Sequence, residues 1–255
     1  MNFLSTPPPG RGSNVLVPFA SGHTRARLVI GLLIAGIAVD VLASISGLFQ
    51  ISLLSSLIAG VEFTEDQMFW NDLREAAVAL TKLFVFLTTV VLFSMWIHRA
   101  YRNLPALGAS RLEFSPGWAV GWFFIPFANL FYPYRVVKEI WIKSDPEVDE
   151  TESSFWQSAI TPPLIGWWWG VWIISNIADN IILRLSLRAE EPGELLLLSQ
   201  AELVANALSI ASALLAILVI RGIDQRQEER SKRFAHVHSP PPPPRFEPSS
   251  EIQSS

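Results

Sequence analysis

Long apolar runs alternate with short polar ones along this chain, and run length decides which element each predicts. From Leu28 to Val61 the only formally charged residue is Asp40, and about 20 apolar residues let a helix cross a hydrocarbon core of roughly 30 Å. A first span is therefore expected at about 28–55. Glu62 to Glu75 is acidic but sets Met68, Phe69, Trp70 and Leu73 at near-helical spacing, the pattern of an amphipathic lead-in helix on the outer surface. A second span is expected at 78–97, closed by Trp96, His98, Arg99 and Tyr101, residue types that favour a membrane boundary. The Trp-rich run from Gly117 to Phe131 is apolar but short, with Pro126 and Asn129 inside it, and a run of that length re-enters the membrane or lies at its interface. Tyr132 to Ser144 sets Val136, Val137, Ile140 and Trp141 against Arg135, Lys138, Glu139 and Lys143, an amphipathic pattern suited to the membrane surface. Pro162 and Pro163 are tolerated in a first helical turn and open a third span at 162–183; a fourth covers 195–220 and ends at Arg221.

The predicted fold class is all-α: an integral membrane four-helix bundle with an additional short re-entrant or interfacial helical segment at 117–131 and an amphipathic surface helix. Residues 1–26 contain Pro7, Pro8, Pro9 and Gly10, lack the apolar core of a signal peptide, and read as a flexible arm. Residues 27–225 form the membrane domain, and 226–255 read as a disordered, charged and Pro-rich cytoplasmic tail. Its run Pro240 to Pro244 suits a spacer or a polyproline ligand.

Lys and Arg are enriched in cytoplasmic loops. With both termini inward and 117–131 not crossing, only Arg74, Lys82, Arg184 and Arg188 fall on the outer side. The expected location is the cell (plasma) membrane, multi-pass, with both termini cytoplasmic.

Composition supports lipid as solvent. Half of the 255 residues are hydrophobic and 16% are charged, against about a quarter charged in soluble domains. The net charge of −4 is mild and the basic residues are scattered, so nucleic acid is not expected as a partner. Cysteine is absent, which removes disulfides, thiolate nucleophiles and Cys-based metal sites. His23, His98, His236 and His238 do not form a ligand set, so neither a metal nor a cofactor is expected. The chain holds no G-x-S-x-G elbow, phosphate loop, dinucleotide G-x-G-x-x-G or H-E-x-x-H, and the expectation is that it is not an enzyme.

Ionisable residues inside a bilayer cost several kcal/mol and usually find partners within the bundle. At about 1.5 Å per residue, Asp40 sits roughly 18 Å above the inner end of its span, and Lys82 and Asp179 roughly 22 Å above theirs. A layer in the outer half is expected in which Lys82 pairs with Asp40, Asp179 or both; the alternative is that Lys82 snorkels to the outer interface. Asn176, Asp179 and Asn180, with Ser175, share a helix face and read either as interhelical hydrogen-bond glue or as a transport pathway. Gly36, Asp40, Ser44 and Gly47 form a stripe that suits close helix contact. Trp118, Trp122, Pro126, Asn129 and Pro133 either frame a cleft or anchor an interface.

The segment Phe114-Ser115-Pro116-Gly117-Trp118-Ala119-Val120-Gly121-Trp122-Phe123-Phe124-Ile125-Pro126-Phe127-Ala128-Asn129-Leu130 continues through Pro133, Arg135, Glu139, Trp141 and Ser144-Asp145-Pro146. It resembles the bacterial membrane family called domain of unknown function 4328. Trp96, Arg99, Ala100, Asn103 and Leu107-Gly108 also match, as do Trp167, Trp168, Trp172, Ser175 and Asn176, so the resemblance covers roughly Leu28 to Gln225. It implies a multi-span membrane protein with no established activity, and it carries over no catalytic residue.

Two functions are expected from different classes. The first is a non-catalytic scaffold or regulatory membrane protein, whose partners are the lipid bilayer and either a second protein or further copies of itself. The second is a small-solute transporter or channel using the ionisable layer.

Overall fold

A computed structural model describes residues 18–147 and 162–237, and every regular element among them is helical. In chain order these are α1 (His23–Ile58), α2 (Glu65–Asn103), a 3-10 turn (Pro105–Leu107), α3 (Pro116–Gly121) and a second 3-10 turn (Ala128–Leu130). Then follow α4 (Tyr132–Lys143), α5 (Pro163–Ser186) and α6 (Pro192–Val237). α1, α2 and α6 are each long and apolar enough to cross a membrane. α5 has 24 residues, about 36 Å of helix; Trp167, Trp168, Trp169 and Trp172 followed by Asn176, Asp179 and Asn180 dilute its apolar run.

α1 packs between α2 and α6, and α6 between α1 and α5. Small residues permit the close approach. A Cβ added at Gly36 would lie 3.8 Å from Val85 of α2, and one at Gly47 would lie 3.4 Å from Leu203 of α6. The stripe expected to make close contact thus meets two neighbours. Away from these seams the bundle turns large apolar side chains outward, with Phe84 71%, Leu197 67%, Leu80 66% and Val204 62% exposed. A continuous apolar exterior of this kind is suited to lipid.

The densest packing lies at the end of the bundle where α1 begins and α2 ends, the end expected to face inward. Trp96, Ile97, Tyr101, Val136, Val137, Ile140, Ile220 and Ile223 are fully buried there, bringing α2, α4 and α6 into one core. α4 is amphipathic as its pattern predicts, but its apolar face is covered by protein: it packs against α5 and α6. Pattern alone cannot distinguish a lipid from a protein partner for such a face.

Three boundaries differ from the sequence reading. The stretch 62–75 is not a separate lead-in helix. Thr64 and Gln67 form a capping box, which satisfies free N–H groups of the first turn, and α2 runs unbroken from Glu65 to Asn103. The segment 117–131 divides into the six-residue α3, a set of turns and the Ala128–Leu130 turn. Phe127 has φ of +63° there, an uncommon conformation for a residue with a Cβ, and it is 83% exposed. Finally, the tail does not begin at Arg226: α6 continues to Val237, because several of its polar side chains find buried partners. The arm up to residue 17, residues 148–161 and the tail beyond Val237 lie outside the described residues.

Candidate functional site

At the opposite level of the bundle, the one expected to face outward, three helices converge on one amine. Lys82 of α2 places Nζ 3.3 Å from Asp40 Oδ1 of α1 and donates to Asn206 Oδ1 of α6 at 2.6 Å. The Asp40 side chain is 9% exposed and that of Lys82 39%, so the carboxylate depends on this amine far more than the amine depends on it. The amine therefore points into the bundle. Asp179 of α5 and Glu202 of α6 border the same open cavity of about 470 Å³, together with Glu75, Lys82 and Asn206. Asp179 takes no part in an ion pair among the described residues.

The cavity's shape follows from how α2 and α5 approach each other. Lower down they meet through Phe93 and Trp168, whose ring centroids are 6.5 Å apart. Farther out the space between α2 and α5 is the cavity. Toward the far end of the bundle Val29, Ile97, Ile220 and Ile223 are fully buried.

Asn176 and Asn180 do not act as glue between helices. Asn176 Nδ2 donates to the Trp172 carbonyl and Asn180 Nδ2 to the Asn176 carbonyl, each at 2.8 Å and within α5. Sequence reasoning missed Asn206, although the depth arithmetic that selected Lys82 applies to it: Asn206 lies about 21 Å from the inner end of its span at 1.5 Å per residue. It also missed the polar group at the cavity's outer edge. There Arg74 donates to Ser46 Oγ at 2.9 Å and to Asn71 Oδ1 at 2.7 Å, and Ser46 donates to Glu75 Oε1 at 2.8 Å.

Lys82→Met is expected to destabilise the detergent-solubilised protein by about 1–2 kcal/mol. That is below the 3–5 kcal/mol typical of a fully buried pair, because Lys82 is partly exposed. Adding Asp40→Asn should recover much of the loss, since it removes the stranded charge. Equilibrium unfolding of the two single variants and the double variant measures the coupling, and additive losses would show that the two groups do not interact.

The Trp-rich motif lies at the other end and forms no cleft with the ionisable layer. Trp122 stacks on Tyr132 with centroids 4.2 Å apart and contacts Trp118 at 5.0 Å. Pro126 closes a turn whose carbonyl accepts from Ala128 N at 2.8 Å, and Asn129 N donates to the Ile125 carbonyl at 2.9 Å. Trp169 Nε1 donates to the Leu130 carbonyl at 3.0 Å, tying this segment to α5. Pro133 is buried in the first turn of α4. Glu139 accepts from the Tyr101 hydroxyl at 2.7 Å and from Glu113 N at 2.8 Å, while Phe114 N donates to the same hydroxyl at 2.8 Å. Arg135 pairs with Glu113. These contacts fasten residues 113–114 to α2 and α4.

Ser144-Asp145-Pro146 completes the motif by holding the inner extension of α6. Gln227 is 4% exposed; its Nε2 donates to the Ala100 carbonyl at 2.8 Å and to Ser144 Oγ at 3.1 Å, and its Oε1 accepts from Asn103 at 3.2 Å. Arg230, 6% exposed, donates to the Leu107 carbonyl at 2.8 Å and to the Asp145 carbonyl at 2.6 Å. Arg226 pairs with Asp145 Oδ2 at 2.6 Å and lies 4.5 Å from the centroid of the Trp141 ring. That ring also covers Gly222, where an added Cβ would come within 2.5 Å of it. Gly108, at φ +84°, stands beside Phe234 in the same way. Each partner in this clamp is far from α6 in sequence, and no local pattern announces it.

No curated protein and no solved structure matches the chain. One family, described as domain of unknown function (DUF4328), does match, over residues 59–225. The match takes in α2 to α5 and most of α6; it starts after α1 and so leaves Asp40 outside, a narrower span than the resemblance covers. With more than half of its length matched, and with the Trp-Pro-Asn motif inside the matched span, the chain belongs to this family of unknown function.

Proposed function

We propose that the chain is a multi-pass plasma-membrane protein with four spans and both termini in the cytoplasm, and that it acts as a non-catalytic scaffold or regulatory protein that binds a partner. The observation that carries this reading is the clamped extension of α6. Gln227, Arg226 and Arg230 are held by carbonyls and side chains of the inner loops, so the helix leaves the membrane as a fixed post rather than a loose tether. A post of this kind presents a surface in a constant orientation. Building it costs buried polar groups, each of which had to be given a partner.

The test is site-specific photo-crosslinking in native membranes, with the probe at exposed Lys232 in one variant and at lipid-facing Phe84 in another. A discrete protein adduct from position 232, with only lipid adducts from position 84, is the expected result. Lipid or solvent adducts alone from position 232 would reject the partner-binding reading.

The outer cavity supports a second reading, a small-solute transporter or channel. Its carboxylates Asp179 and Glu202 line an open cavity, and the tightly packed inner half is what such a protein would have to open. If flux of a solute is found in reconstituted vesicles and Asp179→Asn abolishes it while the fold persists, this reading replaces the first.

A further inference from the structure

At the inner end of the bundle, on the face away from the clamp, a groove of about 460 Å³ runs between α1 and α6. Its two ends differ in chemistry. His23, Arg27 and Arg221 stand at the mouth, and Ile30, Gly31 and Ile34 line the way up along α1. Arg27 and Arg221 directly flank the apolar runs of their helices, and Ile34 lies about 10 Å farther into the apolar layer at 1.5 Å per residue. The groove therefore begins where headgroups would sit and continues where acyl chains would sit.

The charges at the mouth are left unmatched. Among the described residues, neither Arg27 nor Arg221 makes an ion pair or hydrogen bond. The carboxylate in the lining, Asp224, is engaged by His23 Nδ1 at 2.7 Å. Two exposed guanidiniums over an apolar channel are complementary to a group with an anionic head and an apolar tail. The space beside Gly31 is open, since an added Cβ there would meet nothing within 4 Å.

We propose that this groove is a binding site for an anionic phospholipid, its phosphate held by Arg27 and Arg221 and one acyl chain lying along Ile30, Gly31 and Ile34. The site rests on the membrane reading above, with this end of the bundle at the cytoplasmic leaflet. The occupant is a lipid and not free phosphate, because the cavity extends past the charged mouth into an apolar channel that inorganic phosphate has no means to fill.

The full-length protein is reconstituted in vesicles of phosphatidylcholine with a minority of phosphatidylglycerol, extracted in mild detergent, and its retained lipid is counted by native mass spectrometry. The wild type is expected to keep about one phosphatidylglycerol per chain in preference to phosphatidylcholine, and added inorganic phosphate should not displace it. Each Arg beside a charged headgroup is worth about fivefold in binding, so Arg27→Gln with Arg221→Gln should reduce retention roughly 30-fold. Gly31→Leu fills the channel without touching the charges and should also abolish retention while leaving the unfolding midpoint unchanged. Equal retention of the two lipids by the wild type, or wild-type retention by Gly31→Leu, overturns the proposal. Orientation is read separately. In the cysteine-free chain, Lys232→Cys should react with a membrane-impermeant maleimide only after permeabilisation, and labelling in intact cells would reject the topology without altering the lipid count in detergent.

Discussion

Gln227→Leu is expected to lower the stability of the detergent-solubilised protein by about 3 kcal/mol, the sum of leaving several buried polar groups without partners at about 1–3 kcal/mol each, with partial relaxation. The amide occupies a position from which it serves two elements and the start of a third: it donates to the Ala100 carbonyl at the end of α2 and to Ser144 after α4, and it accepts from Asn103. Asn103 in turn donates to the Ala20 carbonyl just before α1. A leucine of similar size fills the space and answers none of these groups. Gln227→Glu separates volume from hydrogen bonding: it keeps the shape and the acceptor for Asn103 but loses both donated bonds and buries a charge, so it should fare no better than leucine. A loss under about 0.5 kcal/mol for Gln227→Leu, the scatter expected of a surface change, would mean that the inner end of α6 is not held by this amide.

Gly222→Leu should be comparably damaging for the opposite reason, excess volume. The first carbon of any side chain at 222 would approach Trp141 Cη2 and Cζ3 to 2.5 Å, well inside contact distance. Arg226, one turn farther on, lies 4.5 Å from the centroid of the same ring. Overpacking of this kind costs about 1–3 kcal/mol, and a leucine at a site that rejects even a methyl group belongs at the top of that range. The near-ultraviolet circular dichroism of the tryptophans should change as well, and Gly222→Leu combined with Trp141→Leu should recover part of the unfolding midpoint. If Gly222→Leu unfolds like wild type, α4 does not pack on α6 as described.

What the chain discloses in advance depends on the range of the interaction. The long helices are legible because the length of an apolar run is a local property, and Asp40, Val78 to Ile97 and Leu195 to Ile220 can be read one segment at a time. The convergence of Lys82 and Asp40 is legible from depth alone, since 1.5 Å per residue places both in the outer half. Asn206 obeys the same arithmetic, but a neutral amide in a leucine-rich run carries less signal than a charge and was passed over. The clamp was illegible for a different reason. Asp224 to Arg233 has the composition of a solvated tail, and composition cannot show that Gln227 and Arg230 meet carbonyls more than 100 residues away. The Trp118 to Trp141 motif was visible as a motif, yet its role depended on Tyr101 and Tyr132, whose contacts with Glu139 and Trp122 only the folded chain brings about.

The 46 residues of α6 form one helix, about 69 Å from end to end at 1.5 Å per residue. Asn206, at the wall of the outer cavity, and Gln227, at the inner end, are separated by about 31 Å of that helix, with no proline between them to act as a joint. α6 thus joins the cavity wall to the clamped end as one uninterrupted rod, held there by Arg226, Gln227 and Arg230. Anything that unfastens that end would be felt at the Asn206 wall of the cavity, and by thermodynamic reciprocity with the same coupling energy in the opposite direction.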